Sequence, residues 1–97
     1  MQDEDFREWL EIVDKRPLPQ VRDNISRIKR VEDSLNLNLD TEYINEQCES
    51  VLNKLDLSNA EFLKTVNLPT DIAGLSSLKT AVRKYVKFCD QMKYNNK

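Results

Sequence analysis

Lys79, Arg83 and Lys87 stand at i, i+4 and i+8 in SSLKTAVRKYVKFCDQM, residues 76–92, with Lys84 to one side. On a helix this spacing makes one row of cations, repeating every ~6 Å along the axis. A second basic group, Arg22, Arg27, Lys29 and Arg30, follows Lys15 and Arg16. Ammonium and guanidinium groups neutralise phosphates, and nearby Ser26, Ser76 and Thr80 supply hydroxyl donors for phosphate oxygens. The chemistry these eight cations suggest is contact with the backbone of a nucleic acid. A solvated outer helix face has the same composition, so the pattern alone also fits a surface that binds nothing.

The residues that are missing narrow the field further. The chain has no histidine, so it offers no Ser/His or Cys/His nucleophile system and no Cys/His zinc site. With one glycine it builds no glycine-rich phosphate loop. Its many carboxylates fall on outer helix faces; Glu42 and Glu46, at i and i+4, read as part of a solvated acidic face and not as ligands of a divalent ion. Cys48 and Cys89 read as two buried reduced thiols, with a disulfide between their helices as the alternative. These absences lead us to expect no enzyme activity, no metal and no cofactor.

Net charge is −2 over 97 residues, but the charge is distributed in blocks. Residues 1–14 sum to −5, residues 15–30 to +5, residues 31–61 to −7 and residues 62–97 to +5. Alternation of this kind gives a polar surface with separate acidic and basic faces. No run approaches the ~20 apolar residues of a membrane span, and the acidic start, MQDEDFREWL, is not a secretory leader, so a cytosolic location without membrane attachment is the default.

The elements that must position these groups are helices packed as one domain over residues 1–97. Few glycines and prolines argue against an all-β fold. Phe6, Trp9, Leu10 and Val13 share one face of a first helix, capped by Asp3 or a neighbour. KRPLPQ ends it. A second helix, from about Gln20 to Leu35, aligns Val21, Ile25, Ile28, Val31 and Leu35, with Arg30 opposite this stripe. Glu32 projects close to the stripe, so either the helix loosens there or the carboxylate finds an arginine. A third helix, TEYINEQCESVLNKL, capped by Asp40 or Thr41, aligns Ile44, Cys48, Val51 and Leu55. Ser58 and Glu61 form a capping-box pattern ahead of a short helix that turns Phe62, Leu63 and Val66 inward. After an irregular stretch punctuated by Pro69 and Gly74, Ser76 or Ser77 caps the last helix, whose stripe is Leu78, Val82, Tyr85, Cys89 and Met92. The tail KYNNK is expected to fray. The sum is an all-α compact bundle of four main helices plus one short helix.

The segments FREWLEIV, NISRIKRVEDSLNLNLDTEYINEQCESVLNKL and SLKTAVRKYVKF, in that order, resemble a small helical module of bacterial and phage DNA-processing proteins. They are similar to N-terminal helical segments ahead of nuclease or motor domains in restriction and phage-defence enzymes. In layout the chain also resembles the SAM-like core-binding domain of tyrosine recombinases, which clamps duplex DNA. No catalytic domain follows, so the resemblance implies DNA or partner binding without catalysis. It points at Arg27, Lys29 and Arg30 in SRIKR and at Lys79, Arg83 and Lys84 in SLKTAVRK.

The leading expectation is therefore a non-enzymatic, DNA-binding or DNA-associated module of a mobile-element or phage-defence system. Its rival is a protein-interaction module: an adaptor, a small phage inhibitor of a larger nuclease or motor protein, or a homo-oligomerisation domain. That module would dock through the acidic blocks.

Overall fold

Phe6, Trp9, Tyr85 and Phe88 meet at the centre of the molecule, with ring centroids between 5.0 and 6.1 Å apart. The Phe6 and Tyr85 rings meet edge to face at 79°, the arrangement that aromatic quadrupoles favour. This cluster locks α1 (Asp3–Ile12) to α6 (Ile72–Asn95). The structure, a computed structural model, describes residues 1–95, with side chains described through residue 92. The fraying expected of the tail falls on side chains from 93 onward and on residues 96 and 97, which lie outside that description.

Against the cluster α2 (Leu18–Leu35) lays Val21, Ile25, Ile28 and Val31, all buried. α3 (Leu39–Glu46), α4 (Glu49–Lys54), a 3-10 turn (Leu57–Asn59) and α5 (Ala60–Thr65) close the remaining side with Leu39, Cys48, Val51, Leu55 and Leu63. Every regular element among the described residues is helical, and α2 with α6 is the most extensively packed pair. The fold is an all-α bundle. No helix among the described residues is long and apolar enough to cross a membrane.

The expected third helix is in fact two, and the break has a packing reason. Leu39 and Tyr43, at i and i+4, face inward from α3, which turns Ile44 outward at 80% exposure. A continuous helix would then carry Cys48, Val51 and Leu55 off the core. Gln47 and Cys48 instead adopt left-handed φ of 55° and 62°, resetting the phase so that all three are buried. Asn38, not Asp40 or Thr41, caps α3, its side chain accepting the Asp40 N–H at 2.8 Å.

Other helix ends also move. α2 starts at Leu18 with Pro19 in its first turn, where no N–H is needed. α1 stops at Ile12 and Val13 is 54% exposed, not core. Ser58 does not cap the short helix. α5 begins at Ala60 after the 3-10 turn, where Asn59 spends its amide on the carbonyls of Asn53 and Lys54 at the end of α4. Phe62 is 43% exposed, while Leu63 is buried. α6 starts five residues before Ser77, because Asp71 accepts the Gly74 N–H at 3.1 Å. Gly74 lies inside that first turn: a Cβ there would sit 2.6 Å from the Pro69 Cβ, so the close approach excludes a side chain.

One polar junction ties four helices together. Glu32, on the edge of the α2 stripe, accepts the Leu39 N–H at 2.9 Å and the Met1 α-amino group at 3.0 Å. Its partner is therefore not an arginine, and α2 does not loosen. Tyr85 on α6 donates its hydroxyl to Asp40 and accepts the Gln2 N–H at 2.8 Å. Tyr43 reaches Asp90 on α6 in the same way.

Cys48 and Cys89 are free and buried. Burial, and after it the neighbouring carboxylates, push both thiols up to about 12. At pH 8 the native chain is therefore expected to resist iodoacetamide. The same chain in denaturant, never exposed to reductant, should yield two alkylated cysteines by mass. Rapid labelling of the native protein would contradict the buried placement.

Candidate nucleic-acid interface

α2 carries its four cations on two flanks. By helical phase Arg22 and Lys29 lie on the side where α1 packs, and Lys29 reaches Asp3 of α1 at 3.1 Å. Arg27 and Arg30 lie on the other side, where the Arg30 guanidinium donates to the Asn67 carbonyl at 3.0 Å. That bond draws Arg30 over the turn between α5 and α6. Arg27, Arg30 and Ser26 thereby line one shallow hollow, together with the carboxylate of Asp23. Arg27 is half-buried, and among the described residues neither it nor Arg22 has an ion-pair partner.

On α6 the row reads differently from its outer edge to its flank. Arg83 and Lys87 are exposed and Lys79 is half-buried; none of the three forms an ion pair among the described residues. Lys84 sits on the flank beside α1, and its ammonium is held by Asp14, with side-chain exposures of 19% and 14%. The same carboxylate accepts from Arg16 at 3.0 Å. Lys84 thus fastens the chain leaving α1 onto α6, and a phosphate would have to displace a partly buried carboxylate to reach it.

Helix α2 and helix α6 bury their stripes against each other, so their outer cations face away from one another. Five of the eight candidates therefore form two surfaces: the α2 hollow with Arg27 and Arg30, and the α6 row with Lys79, Arg83 and Lys87. Arg22 and Lys29 border α1, and Lys84 lies between α6 and the end of α1. Among the described residues no group of three or more acids or cysteines is placed to hold a metal ion.

Sequence reasoning missed Asn67. Its left-handed φ of 60° closes the turn after α5 and presents the carbonyl that orients Arg30. An asparagine in a turn favours that conformation, but nothing in the sequence pairs it with an arginine 37 positions away. Trp9, an interface anchor had it been exposed, is 5% exposed and donates its indole N–H to Gln91 at 2.6 Å. Compared with known protein families, characterised proteins and solved structures, the chain finds no match.

The Asp14 cluster has a pH signature. Burial acts to raise this carboxyl, but hydrogen bonds from Lys84 and Arg16 outweigh burial and hold it below its ordinary value of 3.8. A group depressed in the folded state stabilises the fold above its unfolded value and loses that contribution as pH falls through the folded one. Asp14→Asn is expected to cost about 1–2 kcal/mol in urea unfolding at pH 7. The cost should shrink once the pH drops below 3.8. A cost that stays the same at low pH would show that the pair is not what Asp14 contributes.

Proposed function

We propose that this chain is a non-enzymatic helical module that contacts the phosphates of DNA, in the mobile-element or phage-defence setting that its resemblance implies. The observation that carries the reading is the α2 hollow, where Arg27, Arg30 and Ser26 converge on one concavity and the Asn67 carbonyl orients Arg30. Guanidinium groups positioned before binding lose less side-chain freedom when a phosphate arrives. The α6 row adds a second surface with Arg83 and Lys87 unpaired among the described residues. Contacts made to phosphates alone would give an affinity that is salt-sensitive and largely independent of sequence.

A protein-interaction role is the second reading. What favours it is the outer face of α1, where carboxylates stand beside exposed Ile12 and Val13. The two roles use different surfaces and are compatible in one module.

Fluorescence anisotropy with labelled duplex and single-stranded DNA at ~50 and ~200 mM salt tests the first reading. Binding is expected at the lower salt and should weaken steeply at the higher. Arg27→Glu with Arg30→Glu should weaken binding and lower the salt slope by about 2, the loss of two phosphate contacts. Asp23→Asn should tighten it, because Asp23 places a negative charge in the same hollow. Absence of binding to either form of DNA at ~50 mM salt would overturn the proposal.

A further inference from the structure

We infer that the groove between the outer flank of α1 and the end of α6 takes a basic amphipathic helix of a partner protein. Its floor is apolar: Trp9, Met92 of α6, and Ile12 and Val13, which are 63% and 54% exposed. Its rim is acidic. Asp5, Glu8 and Ile12 follow one another on successive turns of the same α1 flank, so two carboxylates run beside the apolar floor.

The acids of the first block are divided by use. Asp3, on the opposite flank of α1, is paired with Lys29, and Asp14 is paired with Lys84 and Arg16. Asp5 and Glu8 make no ion pair among the described residues. The fold has thus matched the two acids that face its own cations; of the four left without an ion pair among the described residues, Glu4, Asp5, Glu8 and Glu11, Asp5 and Glu8 line the groove. An occupant that satisfies both features needs apolar side chains about one turn apart over Ile12, Val13 and Met92. It also needs lysines or arginines toward Asp5 and Glu8, and a basic amphipathic helix presents both sets at i, i+3, i+4 and i+7. Nucleic acid and anionic lipid are repelled by the same rim. This surface is separate from the α2 hollow and the α6 row, so the inference goes beyond the phosphate-binding reading and does not depend on it.

Trp9 is the only tryptophan in the chain and forms part of the groove floor, so its emission reports occupancy directly. The probe is a synthetic helical peptide with leucines at i, i+3, i+4 and i+7 and lysines beside them, titrated into the full chain. A saturable change in Trp9 emission is expected. Asp5→Lys with Glu8→Lys should weaken the peptide at least about tenfold. Glu46→Lys with Glu49→Lys, the same change of net charge elsewhere, should leave it within about twofold. Arg27→Glu with Arg30→Glu should leave the peptide titration unchanged, so failure of the DNA reading and failure of this one are told apart. Equal weakening by the two acid-to-lysine pairs would mean general attraction and would overturn the inference, as would absence of any Trp9 response. If the chain alone sediments as a dimer that Asp5→Lys with Glu8→Lys dissociates, the occupant is a second copy and the proposed partner is wrong.

Discussion

The hydroxyl of Tyr85, donated to Asp40, is the constraint on which the rest of this bundle depends. Tyr85 is fully buried, so its hydroxyl must find partners inside the protein, and it finds them on the backbone of Gln2 and the carboxylate of Asp40. Burial and the Asp40 hydrogen bond raise the phenol above its ordinary range, which keeps it a donor. Asp40 lies in the first turn of α3, Glu32 of α2 accepts the N–H of Leu39 beside it, and Phe6 of α1 meets the Tyr85 ring edge to face. Four helices meet at this point, and this arrangement gives each of these polar groups a partner. Among the described residues no buried side-chain nitrogen or oxygen is left without a hydrogen bond.

Fixing the helices this way also sorts the charges. Where α1 runs beside α2, Asp3 meets Lys29; where the chain leaves α1 beside α6, Asp14 meets Lys84. Those charges serve the fold. The charges left without ion-pair partners among the described residues include Arg27, Arg30, Arg83 and Lys87 on the basic surfaces and Asp5 and Glu8 on the α1 groove. The functional proposals rest on that remainder and not on the total charge. A net charge of −2 conceals both surfaces.

The helical class and most of the core were legible because burial repeats with the helical period. Phe6, Trp9, Leu10 and most of the α2 and α6 stripes are buried where periodicity places them, while Leu35 and Met92 at the stripe ends are only partly buried. Helix ends were less legible, since several side chains can cap a given turn and long-range packing chooses among them. Asp71 capped α6 ahead of Ser76 and Ser77 because Gly74 lets the chain pass close to Pro69. The break at Gln47 and Cys48 was hidden for a related reason. Ile44 fits the spacing of Cys48, Val51 and Leu55, yet Tyr43 has the partner across the bundle in Asp90. At the candidate site the residue types were readable and their pairing was not. Whether a lysine meets a carboxylate 70 positions away, as Lys84 meets Asp14, depends on how helices cross.

A double-mutant cycle on Tyr85→Phe and Asp40→Asn tests the central claim most directly, by urea unfolding of the two single variants and the double. If the junction holds the four helices as described, the single losses should exceed additivity with a coupling of at least about 1 kcal/mol. Losses that simply add, within about 0.3–0.5 kcal/mol, would contradict it.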